Sequence, residues 1–359
     1  MTQLISKGAD GTLEAVVLAA MVFLLAYGVT RYLCSPVAWL RQLDHPNERS
    51  LHAVPTPRTG GLAILGSLMV GFVVFQLFFA GGTEDQTSRW IIGAALLVGA
   101  VSFRDDRMGL PPGLRFAVHS AAAVAVVVGT GLTVPQIAFP LFGTWALGPL
   151  GPPLAVLFLM WMTNLYNFMD GMDGFAGGMT VVGFGFLAYM ALRGGQPGLA
   201  ALALLIIAAA GGFLVYNVPP ARIFMGDVGS APLGFLAGAL SLKGVQEQAF
   251  DFWVPVLIFS PFLVDATMTL LQRSLRGEKV WQAHREHYYQ RLVLSGWSHR
   301  KTVIIEYLLM LASGSSSLVY SHASERGQLA ILAAWAVLYM ALARGVSRIE
   351  WRQRARTAG

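Results

Sequence analysis

Asn164-Leu-Tyr-Asn167-Phe-Met-Asp170-Gly-Met-Asp173-Gly-Phe-Ala-Gly177-Gly178 follows an apolar run from Leu154 to Met162, and its reading decides the rest of the chain. Two amides and two carboxylates arrive at steps of three. That spacing keeps neighbouring members on one face of an α-helix and aligns all four if the turn tightens to 3₁₀. Gly171, Gly174 and the Gly177-Gly178 pair then supply helix-ending positions and room for a close-approaching ligand. Carboxylates at a membrane boundary are costly unless they meet a cation, a polar ligand or water, so the stretch marks a functional site. The plainer alternative is a helix C-terminus with solvated caps.

Composition sets the frame. Hydrophobic residues make up 55% and charged residues 12% of the 359 residues, against roughly 25% charged in soluble domains. The chain therefore reads as an all-α polytopic integral membrane protein, a single domain over residues 1–359. The net charge of +6 does not point to nucleic acid, because the basic residues sit between apolar runs. Cys34 is the only cysteine, which excludes an intramolecular disulfide and a cysteine-based metal cluster. Lys7 is accompanied by Asp10 and Glu14, a poor signal-peptide start, so the first apolar run reads as a retained span.

Hydropathy predicts spans near 12–33, 60–80, 90–103, 114–130, 150–168, 177–192, 199–217, 230–243, 252–272, 301–321 and 327–346, hence about 10–11 transmembrane helices. Lys7, Arg89, Arg193, Lys243 and Arg326 fall on one side, and the rest of the 25 basic residues on or near the other. The basic side is expected to be cytoplasmic, with the N-terminus outside and the C-terminus inside.

All the polar clusters fall on that basic side. The first loop, Asp44 to Gly61, is rich in proline, and Gly60-Gly61 opens the next helix with N–H groups that could face an anion. Phe103-Arg104-Asp105-Asp106-Arg107 places two carboxylates at the end of an apolar span. They could hold one Mg²⁺ in a turn or divide labour between metal and proton, or simply be neutralised by their arginines. Asp227, between Gly226 and Gly229 at a helix start, suits a hard cation. Phe224 could stack on a base or serve as a lipid-facing anchor. Asp265 lies in an apolar run and needs a partner, for which Arg273 is a candidate. The loop carrying His284, Arg285, His287 and Arg291 could lie on anionic lipid, ligate zinc through its histidines, or clamp phosphate.

Together these residues resemble the polyprenyl-phosphate N-acetylhexosamine-1-phosphate transferase superfamily. The resemblance runs from Asp44 to about Arg300 and rests on four motifs in order: Phe-Arg-Asp105-Asp106, Asn167-Phe-Met-Asp170-Gly-Met-Asp173-Gly, Phe224-Met-Gly-Asp227-Val-Gly-Ser, and the His284/His287 loop. It implies transfer of a sugar 1-phosphate from a UDP-N-acetylhexosamine to undecaprenyl or another polyprenyl phosphate. UMP is released and Mg²⁺ is required, with Mn²⁺ as a substitute. By motif, Asp227 would ligate the metal, and Asp105, Asp106 and Asp170 would be catalytic. Asn167 would lie beside them, Asp173 and Phe224 would hold uracil, and His284, Arg285, His287 and Arg291 would contact phosphate. The family often carries three clustered histidines. Here the sequence reads His284-Arg285-Glu286-His287, which resembles O-antigen initiating enzymes more than the muramoyl-pentapeptide branch. The location implied is a bacterial inner membrane, with membrane lipids as partners and a homodimer left open. A transporter is the rival class, with Asp265 on an ion path, but the carboxylates gather at one interface rather than at the midplane.

Overall fold

The computed structural model describes residues 2–46, 50–78, 86–279 and 284–357, with side chains described from 14 to 355 within those ranges. Arg49 of the first polar loop, residues 79–85, residues 280–283 and the Lys7 side chain lie outside the described part.

The described chain is a bundle of helices with two short hairpins. In order they are α1 (Thr2–Cys34), β1 (Leu43–Asp44), β2 (Thr56–Pro57), α2 (Gly60–Phe78), α3 (Gln86–Met108) and α4 (Pro112–Thr130). Next come β3 (Gln136–Phe139), β4 (Gly143–Ala146), α5 (Gly151–Met169), α6 (Phe175–Arg193), α7 (Pro197–Asn217) and α8 (Asp227–Gln246). The chain ends with α9 (Trp253–Ile258), α10 (Ser260–Leu275), α11 (Tyr288–Leu294), α12 (His299–Tyr320) and α13 (Glu325–Thr357). Eight helices are long and apolar enough to cross a membrane: α1 from Glu14, α2, α4, α6, α7, α8, α12 and α13. The protein is a polytopic α-helical membrane protein.

Local chemistry sets the boundaries. α4 begins with proline in its first turn and ends at Gly131 with φ 69°, a left-handed stop. The single span expected over 252–272 is broken into α9 and α10, because Pro261 cannot donate into the preceding turn and restarts the helix at Ser260. α3 runs five residues beyond its expected end, so Asp105 and Asp106 sit in its last turn rather than in a free loop.

α8 forms the centre: every residue from Val228 to Val245 is buried, with α3 and α5 against it. A helix apolar all round is stable only when surrounded, and this one is. α1 and α2 pack on α7, and α12 packs on α6 and α9. Successive loops alternate between two ends of the bundle. At one end the Thr133 amide donates to Gln246 Oε1 at 2.8 Å and Trp253 Nε1 donates to the Ala138 carbonyl at 2.7 Å. The polar loops meet at the other.

Candidate active site

Backbone pairing between two loops builds the floor of the site. The Phe224 amide donates to the Pro57 carbonyl at 2.7 Å, and Gly60 and Gly61 donate to the Phe224 and Met225 carbonyls at 3.0 and 2.8 Å. The two glycine N–H groups expected to face an anion are thus spent on protein carbonyls. Glycine is needed there for closeness: a Cβ on Gly61 would strike the backbone of Gly229. Gly226, with φ 71°, then turns the chain so that Asp227 opens α8.

Four carboxylates converge from three elements. Asp105 accepts from the Leu110 amide and from Arg115 Nη1, both at 2.6 Å. The same Arg115 nitrogen lies 3.3 Å from Asp227 Oδ2 and so bridges the two motifs. Asp106 Oδ2 accepts from the Val228 amide at 3.1 Å, while Arg58 Nη1 lies 3.8 Å from its Oδ1. Arg58 and Gln42 both donate to the Asp106 carbonyl, which fixes the end of α3. Neighbours about 100° apart on a helix face different partners, and Asp105 and Asp106 do so. Asn167 reaches the Asp227 carboxylate from α5.

Asp170, just past the end of α5, completes the group. Burial, with Asp227 and Asp106 nearby, holds its carboxyl well above the ordinary carboxylate range. A cavity of about 300 Å³ is lined by Asp106, Asp170, Asp173, Phe224, Asp227 and His284 among others.

Asp173 and Phe224 form one corner. Asp173 Oδ2 accepts from the Ala221 amide at 3.0 Å, and its Oδ1 is 3.3 Å from His299 Nδ1. Burial would raise its pKa, but the hydrogen bonds from His299 and Ala221 hold the carboxyl below its usual range. His52 meets Phe224 edge-on at 4.8 Å between ring centroids. Asn217 ties the corner together by accepting from the Gly174 amide and donating to the Ile223 carbonyl.

The histidine loop divides. His284 lines the cavity, and burial, with His287 and Arg273 nearby, pushes its pKa down to about 4, so it is a neutral imidazole at neutral pH. His287 is buried behind the wall, with Nδ1 3.0 Å from Asp265 Oδ1. Asp265 is therefore partnered by His287. Arg273, the partner expected from sequence, pairs with Glu278 and Glu286 instead. Arg285 and Arg291 line a different, outer cavity, where Arg291 Nη2 donates to Glu350 Oε2 at 2.7 Å. Sequence reasoning missed Arg115, His299 and Asn217.

Among the described residues, no three His, Cys, Asp or Glu side chains converge tightly enough to cage a metal unaided. That donor set still suits Mg²⁺, which binds through one or two carboxylates, keeps waters and takes the remaining oxygens from substrate phosphates. Asp170, Asp106 and Asp227 on one cavity wall are an accumulation of negative charge that a divalent cation would relieve.

Residues of four ordered motifs thus line one cavity at the end of the bundle where the polar loops meet. Residues 88–245 match the glycosyl transferase family 4 profile. The chain is 32% identical over 319 residues to the probable undecaprenyl-phosphate N-acetylglucosaminyl 1-phosphate transferase of Bacillus subtilis (strain 168), covering 88% of this chain and 87% of the relative. It is 30% identical to the decaprenyl-phosphate N-acetylglucosaminephosphotransferase of Mycobacterium tuberculosis, over 84% of this chain and 82% of the relative. It is also 30% identical to the phospho-N-acetylmuramoyl-pentapeptide-transferase of Carboxydothermus hydrogenoformans, over 80% and 93%. The chain belongs to the polyprenyl-phosphate N-acetylhexosamine-1-phosphate transferase superfamily, glycosyl transferase family 4.

Proposed function

We propose that the protein transfers an N-acetylhexosamine 1-phosphate from a UDP-sugar to undecaprenyl or a related polyprenyl phosphate. UMP is released, and the step starts an O-antigen or related envelope glycan. The observation that carries this reading is one cavity joining a carboxylate wall, Asp106, Asp170 and Asp227, to the Asp173–Phe224 corner. Two of the relatives named above, those of Bacillus subtilis and Mycobacterium tuberculosis, act by their names on undecaprenyl or decaprenyl phosphate with N-acetylglucosamine.

In this reading the lipid phosphate oxygen attacks the sugar-bearing phosphorus. A new P–O bond forms while the bond to the uridylyl phosphate breaks, and UMP carries away the electron pair. The second pKa of a phosphate monoester is about 6, so the nucleophile is already largely deprotonated near neutral pH. Asp105 and Asp106 then serve orientation more than proton removal: one holds Arg115 and the other holds the start of α8. Asp227 would ligate Mg²⁺, with Asp106 and Asp170 on the same cavity wall beside it, and the ion would supply charge neutralisation of the diphosphate. Arg115 and Arg58 stand where they can steady the same phosphates. Asp173 would accept from uracil N3–H, with Phe224 against the base. His284, a neutral imidazole, would act as a hydrogen-bond donor to phosphate rather than a fixed cation. The site faces the cytoplasm of a bacterial inner membrane, with the N-terminus outside and the C-terminus inside, as the basic residues argue.

The muramoyl-pentapeptide relative keeps a second donor in view. Purified protein with polyprenyl phosphate, Mg²⁺ and a panel of UDP-sugars should release UMP fastest with an N-acetylhexosamine donor. UMP release only with the muramoyl-pentapeptide donor would favour the second reading, and none with any donor would overturn both.

A further inference from the structure

A second cavity lies apart from the one that holds the carboxylates. A space of about 1050 Å³ lies between α10, α11 and α13, and it shares no lining residue with the carboxylate cavity. Six arginines line it, Arg276, Arg285, Arg291, Arg344, Arg348 and Arg354, against two carboxylates, Glu286 and Glu350. The carboxylates are already taken. Glu350 accepts from Arg291 and Arg354 at 2.7 Å each, and Glu286 is held by Arg276 and Arg273. Arg285, Arg344 and Arg348 have no carboxylate partner among the described residues.

Where this basic cavity sits decides its ligand. Arg344 and Arg348 are four residues apart and share one face of α13. That helix is the least covered of the eight candidate spans, with only 11% of its apolar window buried inside the protein. The apolar stretch of α13 that leads up to the recess would therefore face lipid. Met340, one turn before Arg344, is 50% exposed, Leu275 at the end of α10 is 80% exposed, and Trp351 is 70% exposed. A cationic recess with an apolar approach and an interfacial tryptophan suits a ligand with a phosphate at one end and hydrocarbon at the other. A nucleotide would want a free stacking face instead, and the aromatic side chain in the lining, Tyr288, has the Arg291 guanidinium over its ring, 5.2 Å from the centroid.

We propose that this cavity is a binding site for the phosphate headgroup of an anionic membrane phospholipid, separate from the reaction site. Arg344 and Arg348 are its principal contacts, and Arg291, held by Glu350 and by Ser347 at 3.1 Å, fixes α11 to its wall. The occupant bridges α13 to the histidine loop, since Glu286 of the wall lies two residues from His284 of the carboxylate cavity. This inference does not depend on the identity of the sugar donor.

Delipidated full-length protein in neutral detergent is mixed with phosphatidylglycerol, cardiolipin or phosphatidylethanolamine, and bound lipid is counted by native mass spectrometry. Phosphatidylglycerol and cardiolipin should be retained and phosphatidylethanolamine should not. Arg344→Gln with Arg348→Gln should cut the anionic adducts by about tenfold or more, while UMP release in lipid-free detergent stays unchanged. Lysine at both positions should keep most of the binding, because a headgroup phosphate answers to charge. Three results would overturn the proposal. They are equal adducts in the double glutamine variant, displacement by millimolar inorganic phosphate as effective as by phospholipid, and loss of detergent activity in step with loss of lipid.

Discussion

Asp265 Oδ1 lies 3.0 Å from His287 Nδ1, and the same carboxylate accepts from the amides of Tyr288 at 3.1 Å and Tyr289 at 3.3 Å. One buried carboxylate thus caps α11 and fixes the ring that precedes it. The histidine loop is anchored from beneath by α10, with His287 also serving as the N-cap of α11. Asp265→Asn keeps the shape but turns an acceptor-only group into one that meets His287 with an amide. Leaving buried donors unpaired costs about 1–3 kcal/mol. The expected outcome is a lower kcat with the nucleotide-sugar KM nearly unchanged, and a lower melting temperature. Wild-type kcat and stability in Asp265→Asn would show that the cap is dispensable.

Asp227→Asn should raise the Mg²⁺ concentration needed for half-maximal activity, because the amide keeps the shape and loses the charge. Part of the rate should return at high Mg²⁺. A metal titration of UMP release reads this directly. Near-wild-type rate and metal dependence in the variant would remove Asp227 from the metal site.

Asp173 carries a pH statement. Burial pulls its pKa up, but the hydrogen bonds from His299 and the Ala221 amide pull it below the usual carboxylate value. A depressed carboxyl contributes above its unfolded pKa and loses that contribution only as pH falls through the lower folded value. The discrimination of uridine over cytidine donors, as a KM ratio, should therefore hold steady from pH 7 down to about 5. Asp173→Asn should shrink that ratio at every pH. Unchanged selectivity in the variant would mean that Asp173 does not touch the base.

The close approach of Gly61 to Gly229 makes a stability prediction. A methyl group on Gly61 meets backbone, which cannot swing aside as a side chain can. Overpacking of this kind costs about 1–3 kcal/mol. Gly61→Ala should lower the melting temperature and shift the Phe224–Asp227 loop, so that activity falls as well. Gly66, where a Cβ meets open space, is the control: Gly66→Ala should be silent in both measurements.

The place of Asp227 at a helix start was legible in the sequence, because Gly-Asp-Val-Gly sets a carboxylate between two flexible residues ahead of an apolar run. The same is true of Asp170 at the end of an apolar run. Arg115 and His299 were not readable, since no local pattern marks them. Each becomes part of the site only when its helix start comes to rest on a carboxylate from another motif. Asp265 stands out in the sequence as a carboxylate in an apolar run, but its partner does not. Arg273 is near in sequence, but His287, 22 residues away, is what the fold places against it. The N–H groups of Gly60 and Gly61 misled for a related reason: a loop from the far side of α7 had already taken them. Arg291 likewise has a partner, Glu350, that only the folding of α13 back onto α11 supplies.

If the sugar leaves its donor with a phosphate attached, the fate of that phosphorus shows it. UDP-N-acetylglucosamine labelled at the sugar-bearing phosphorus is incubated with the purified protein, Mg²⁺ and undecaprenyl phosphate. Label should appear in the lipid product, with UMP released in equal amount, and neither should form without the lipid phosphate. Release of UDP, with the label staying on the nucleotide, would mean ordinary sugar transfer and would contradict the account.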